Sequence, residues 1–142
     1  MVNALDKVQP KNKTQLKQLI NYAFKHNIYD LNFIDTSEIT DMSLLFSNCM
    51  HNFDVSSWDV SNVTNMGYMF YHCKNFNCDL SNWDVSKVKN MNYMFYNCKN
   101  FNCNLSDWDI SNMTRWKNIF CGCDKITIPN WYKKLYIVKN KI

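Results

Sequence analysis

Trp58, Trp83 and Trp108 stand 25 residues apart, and so do Asp59, Asp84 and Asp109, and Ser61, Ser86 and Ser111. A period this short restricts the chain to architectures that add one small unit to the next, because such a unit cannot bury its own apolar face and must stack on its neighbours. A more diverged copy opens at Leu31, about 24 residues before its successor, with Asp35 and Ser37 in the places of Asp59 and Ser61. The sequence therefore reads as one domain over 1–142, with an N-terminal helical cap at 1–30, four repeats over 31–126, and a C-terminal cap with a basic tail at 127–142.

Each unit has two halves. In the first, Val55, Trp58, Val60 and Val63, with copies from Leu31, Leu80 and Leu105, alternate apolar and polar residues at their centre, which predicts a short strand. In the second, Met66, Met69, Phe70 and Cys73, with copies from Met42, Met91 and Trp116, fall at i, i+3, i+4 and i+7. That spacing predicts one apolar stripe of a short helix, with Ser, Thr or Asn upstream as N-caps. Strands pair about 4.8 Å apart and helices pack roughly 8–10 Å apart, so the stack should bow with its strands inside. The expected fold is an α/β repeat, a leucine-rich-repeat-like solenoid with short parallel strands on one face and short helices on the other. A capping helix is expected over residues 14–25, where Leu16, Leu19, Ile20, Ala23 and Phe24 share one stripe behind Pro10 and Asn12. At the other end, Pro129 and the Lys133–Lys134 pair should block further strand pairing.

The phrase Asp59-Val-Ser-Asn-Val-Thr-Asn-Met66-Gly-Tyr-Met69-Phe70, its copy from Asp84, and the opening Asp30-Leu-Asn-Phe-Ile-Asp35-Thr-Ser-Glu-Ile-Thr40-Asp-Met-Ser resemble BspA-type leucine-rich-repeat surface proteins, from about Pro10 to Trp131. The resemblance implies a repeat fold, frequent occurrence on bacterial surfaces, and roles in adhesion or protein binding.

Composition removes several classes. With 46% hydrophobic and 15% aromatic residues the chain is too apolar for disorder, and no apolar run approaches the roughly 20 residues of a membrane span. The net charge of +4 is unevenly placed: residues 125–142 hold five Lys and no acid, while residues 46–124 hold six basic and seven acidic groups. A slightly acidic middle does not fit a nucleic-acid interface, so no nucleic-acid partner is expected. The start, Met1-Val-Asn-Ala-Leu-Asp-Lys, lacks the roughly 7–15-residue apolar stretch of an export signal, and a cytoplasmic location is expected.

The seven Cys invite a disulfide or zinc reading. Cys49, Cys73, Cys98 and Cys123 recur at the inward helix position, where neighbours roughly 8–10 Å apart exceed the disulfide limit of about 7 Å. Reduced, structural thiols are expected; Cys121-Gly-Cys123 is not a C-x-x-C motif, and only His51 and His72, near Cys49 and Cys73, hint at zinc. No cofactor or metal is expected. The ladder of Asp35, Asp59, Asp84 and Asp109, with Ser61, Ser86 and Ser111, supports two readings: carboxylates that close D-x-S turns, or an acidic stripe for a basic partner or divalent cation. A glycosidase-like pair of Asp107 and Asp109 would need a pocket. The Trp ladder reads as core, whereas Tyr68, Tyr93, Tyr71 and Tyr96 lie off the apolar stripe and read as exposed contact rows.

With no phosphate-binding Gly loop, nucleophile–base pair or metal quartet, no enzyme is expected. The expected function is a noncatalytic protein–protein interaction module, monomeric, binding another protein through those Asp, Ser and Tyr residues. The alternatives are an exported or particle-surface adhesin for host protein or carbohydrate, and a component that self-assembles through its ends.

Overall fold

The computed structural model describes residues 7–140; residues 1–6, which include most of the stretch read for an export signal, and Lys141 of the basic tail lie outside them. Two helices are present, α1 at Lys13–Lys25 and α2 at Asn130–Asn140. Between them the described chain has no sheet, only isolated parallel bridges such as Asn65 to Asn90 and Asn90 to Arg115. The expected α/β leucine-rich-repeat solenoid, with strands on one face and helices on the other, is therefore corrected: the units are built from turns.

The reason lies in the backbone of Met66–Cys73. Met69 N–H donates to the Met66 carbonyl at 3.2 Å, and Cys73 N–H donates to the Phe70 carbonyl at 3.0 Å. The third residue of each four-residue turn has left-handed φ, Tyr68 at 57° and His72 at 59°, as a type II turn requires. No right-handed helix contains such residues. The other units repeat the pattern at Leu44 and Asn48, Tyr93 and Asn97, and Asn118 and Gly122. Two abutting turns put their corner residues at i, i+3, i+4 and i+7, the same spacing as a helix stripe, so the periodicity alone does not separate the two.

What holds these turns is the neighbouring unit. The N–H groups of Met66, Tyr68, Phe70 and His72 donate to the carbonyls of Asn90, Asn92, Met94 and Tyr96 at 2.8–2.9 Å, while Met69, Tyr71 and Cys73 donate within their own turns. The unit from Met42 and the unit from Met91 donate onward in the same alternation, at 2.7–3.0 Å. Amides point alternately to the next layer and back into the turn, which satisfies the backbone without helix or sheet.

The predicted strands fail for a related reason. Trp58 N–H reaches back to the Val55 carbonyl at 3.1 Å and Val63 N–H to the Val60 carbonyl at 2.9 Å, so each apolar-x-x-apolar segment is itself a turn. Asp54 and Asp59 close these turns by accepting from Ser56 N–H and Ser61 N–H.

Inside, the rings of successive layers lie less than 6 Å apart. Phe46, Phe70, Phe95 and Phe120 stack at centroid spacings of 5.7, 5.4 and 5.8 Å. A second column of Phe53, Phe76 and Phe101 packs against the first, with 4.3 Å between Phe70 and Phe76 and between Phe95 and Phe101. Stacked, fully buried rings supply both apolar burial and direct ring–ring attraction. The Trp column fixes the register: indole N–H groups of Trp58, Trp83, Trp108 and Trp131 donate to the carbonyls of Leu31, Val55, Leu80 and Leu105, one layer back, at 2.8–3.1 Å.

Both ends of the stack are covered. Leu16, Ile20 and Ala23 of α1 are fully buried against the first layer, Asn12 caps the helix by accepting from Gln15 N–H, and Lys17 donates to the Leu45 carbonyl at 2.6 Å. At the far end the Lys133–Lys134 segment, expected to blunt a strand edge, lies in α2, whose Trp131, Tyr132 and Leu135 pack on the core. No described helix is long and apolar enough to cross a membrane.

Candidate functional site

Three columns of side chains reach the surface from these layers. The first holds the predicted Asp and Ser residues. Asp35, Asp59, Asp84 and Asp109 each accept the N–H of Ser37, Ser61, Ser86 or Ser111 at 2.9–3.0 Å, and the hydroxyls of Ser61 and Ser86 add bonds of 2.6 Å to Asp59 and Asp84. The serine hydroxyl, then its backbone N–H, holds the carboxyls of Asp35, Asp84 and Asp109 below the ordinary range, while the charge of Asp109 acts on Asp84 in the opposite sense. Asp59, Asp84 and Asp109 are exposed, so the edge is acidic, but its carboxylates are already engaged as turn closures.

A second, equivalent column was not singled out from the sequence: Asp30, Asp54, Asp79 and Asn104, which accept from Asn32, Ser56, Ser81 and Ser106 at 2.8–3.0 Å. Its signal is the same D/N-x-S/N phrase one turn earlier in each unit. These residues line shallow hollows of about 460 and 400 Å³, together with Asn52, Asn77, Asn102 and the thiols of Cys78 and Cys103. Cys78 and Cys103 place their Sγ atoms 3.5 Å from Asp54 and Asp79.

The third column carries the predicted tyrosines, and here the structure brings four of them together. Tyr68 and Tyr93 stack across layers at 4.9 Å and 16°, Tyr71 and Tyr96 at 5.3 Å and 17°. Within layers, Tyr68 meets Tyr71 at 5.4 Å and Tyr93 meets Tyr96 at 5.7 Å, making a two-by-two cluster. Left-handed φ at Tyr68 and Tyr93 turns these side chains outward, in line with the exposed Leu44 of the layer before; of the four expected as exposed rows, Tyr68 is exposed and Tyr71, Tyr93 and Tyr96 are half-buried. His72 packs its ring 4.2 Å from Tyr71, and the Lys117 ammonium sits 5.8 Å from the centre of the Tyr93 ring, a cation–π contact.

The cysteines offer little reactivity. All seven are free, and the Sγ atoms of Cys73, Cys98 and Cys123 donate to the carbonyls of Phe46, Phe70 and Phe95 at 2.8–3.0 Å. Burial pushes the thiols of Cys73, Cys78 and Cys123 up to about 12 and that of Cys98 higher still, so the nucleophilic thiolate is suppressed. Among the described residues no three His, Cys, Asp or Glu side chains converge as a metal site would require. One face presents aromatic rings, and another exposes polar and acidic turn corners.

Comparison with curated proteins finds no match, and comparison with solved structures finds none either. A family model does match, over residues 14–131, and its family is distinct from the BspA-type leucine-rich repeats that the phrases from Asp30, Asp59 and Asp84 resemble. That resemblance is therefore corrected, and with it the leucine-rich-repeat, BspA-like and solenoid descriptions of the chain. The chain belongs to the DUF285 family, described as Mycoplasma protein of unknown function.

Proposed function

We propose that this chain is a noncatalytic protein-binding module whose contact surface is the tyrosine face of Tyr68, Tyr71, Tyr93 and Tyr96. The observation that carries this reading is the two-by-two ring cluster, stacked across layers at 4.9 and 5.3 Å and open to solvent on one side. Tyrosine supplies large contact area with a hydrogen-bonding tip, and rings held by their neighbours lose little further freedom on binding. Every buried side-chain N or O among the described residues has a partner, which favours one fixed surface over a plastic one. The Asp35, Asp59, Asp84 and Asp109 edge, with Ser61, Ser86 and Ser111, is a secondary candidate that would add electrostatic selectivity for a basic partner. The partner is another protein, not nucleic acid; the module acts as a monomer, both ends of its stack being covered, and seven free thiols fit a reducing, cytoplasmic compartment.

The test compares partner capture by the intact chain with capture by Tyr68→Asn/Tyr93→Asn and Asp59→Asn/Asp84→Asn variants. Asn is chosen because Asn118 occupies the equivalent left-handed position in the last unit, with φ 50°, so the turn survives the change. A partner bound by the intact chain and lost by the tyrosine variant supports the reading. Undiminished capture by a folded tyrosine variant refutes it.

A further inference from the structure

The C-terminal end of the molecule combines charge and apolar exposure in a way the protein-binding reading does not use. Within residues 113–142 seven basic side chains face a single acid, Asp124, and that acid is paired with Lys99 at 3.3 Å. None of Arg115, Lys117, Lys133, Lys134 or Lys139 takes part in an ion pair found among the described residues. Helix α2 turns Trp131, Tyr132 and Leu135 to the core and leaves Tyr136, Ile137 and Val138 at 64%, 52% and 63% exposure, three consecutive large apolar side chains flanked by Lys134 and Lys139. Cations from a second element meet this helix: Arg115 and Lys117 of the last layer share a hollow of about 430 Å³ with Val138 and Lys139, over the half-buried Trp116.

Three cations around an aromatic floor form a site for a phosphate-bearing anion, and an exposed apolar triplet beside them suits a surface that is anionic outside and hydrocarbon within. We propose that this end of the chain docks on an anionic phospholipid surface. A headgroup phosphate enters the hollow between Arg115, Lys117 and Lys139, and Ile137, with Val138 at the rim of the hollow, reaches the boundary of the acyl chains. Charge complementarity selects this occupant: the patch exposes cations and no acidic group, so an anionic surface fits it and a basic partner does not. The hollow adjoins the tyrosine face at one point, where Lys117 sits 5.8 Å from the centre of the Tyr93 ring.

Vesicle sedimentation tests this, with phosphatidylcholine vesicles, the same vesicles containing phosphatidylglycerol, and inorganic phosphate alone as probes. The intact chain should bind the anionic vesicles and not the neutral ones, with binding weakened by added salt. Arg115→Gln/Lys139→Gln should lower partitioning roughly thirtyfold, at about 1 kcal/mol per cation near an anionic surface. Ile137→Ser/Val138→Ser, with the charge unchanged, should lower it roughly tenfold by removing inserted apolar area. Urea unfolding of each variant establishes that the fold is kept. Equal binding to both vesicle types, no binding to either, or an unaffected Ile137→Ser/Val138→Ser variant would overturn the proposal. So would saturable binding of inorganic phosphate in the absence of vesicle binding, which would make the hollow a soluble-anion site.

Discussion

Alanine at Gly122 separates a stack of turns from a row of short helices by the sign of its effect. Gly122 is the third residue of the turn closed by Cys123 N–H on the Phe120 carbonyl at 3.1 Å, and its φ is +78°. An L-residue held there costs about 1–2 kcal/mol. Its Cβ would also collide with the Asn97 side-chain oxygen and lie 3.3 Å from the Asn97 Cα, a backbone atom with little room to retreat. Reduced freedom of the unfolded chain returns roughly 0.4–1 kcal/mol. With the collision included, the net destabilisation should be about 2 kcal/mol. In a helix over the same residues, Gly→Ala would instead stabilise by about 1 kcal/mol. In urea, with a slope of roughly 2 kcal/mol/M, the turn account moves the midpoint down by about 1 M and the helix account moves it up by about 0.5 M. Gly67, whose φ is not positive, is the internal comparison. A Cβ there meets only side-chain ends, the Asn90 amide nitrogen at 2.8 Å and the Asn65 oxygen at 3.3 Å, and should cost about 1 kcal/mol, the hydrogen bond from Asn90 to Asn65. A Gly122→Ala midpoint at or above that of the unaltered chain would refute the reasoning.

Other outcomes follow from the same layers. Trp83→Phe removes the indole donor to the Val55 carbonyl and part of a fully packed side chain, so urea unfolding should show a loss of about 2 kcal/mol. Asp79→Asn should keep the fold, because Asn104 already closes the equivalent turn by accepting from Ser106 N–H at 3.0 Å; a variant unfolded at neutral pH would contradict this. The carboxyls of Asp35, Asp54, Asp79 and Asp84 are lowered from 3.8, first by serine hydroxyls and then by serine N–H groups, so the folded state favours their ionised forms. That stabilisation is fully present above the ordinary carboxylate range and is lost as pH falls through the lowered values; urea midpoints measured against pH should decline there, and less so in an Asp54→Asn/Asp79→Asn/Asp84→Asn variant. A thiol reagent at neutral pH should label exposed Cys121 first, half-buried Cys49 and Cys123 more slowly, and buried Cys73, Cys78, Cys98 and Cys103 only on unfolding, as counted by mass spectrometry; rapid labelling of Cys73 or Cys98 would contradict the burial described.

The 25-residue spacing of Trp58, Trp83 and Trp108 made the repeat legible in the sequence, and in the structure each indole donates to a carbonyl one layer back. Helix α1 was legible too, through its apolar stripe and its Asn12 cap. The local conformation was not. Tandem turns and a helix share the i, i+3, i+4, i+7 pattern, and the residues that decide between them carry no uniform label: Leu44, Tyr68 and Tyr93 take left-handed φ where Gly or Asn would announce it. Such residues persist because bonds from neighbouring layers over-determine them. Helix α2 was missed because Pro129 and two Lys read as the blunted edge of a sheet, whereas Trp131, Tyr132 and Leu135 already have the spacing of one inward helical face. The tyrosine rows were visible as residues outside the apolar pattern, but their pairing into a two-by-two cluster depends on layers less than 6 Å apart. The Asp30, Asp54, Asp79 and Asn104 column was overlooked because its D/N-x-S/N phrase varies between units, while Asp-Val-Ser at Asp59 recurs unchanged at Asp84.

The most direct test of the layered turn stack is a nuclear Overhauser map of the Met66–Cys73 and Met91–Cys98 segments, with φ measured from couplings. The account predicts cross-layer contacts between the Phe70 and Phe95 rings and between the Tyr68 and Tyr93 rings, with positive φ at Tyr68, His72, Tyr93 and Asn97. Negative φ at all four, with an unbroken run of helical i to i+3 contacts through each segment, would contradict it.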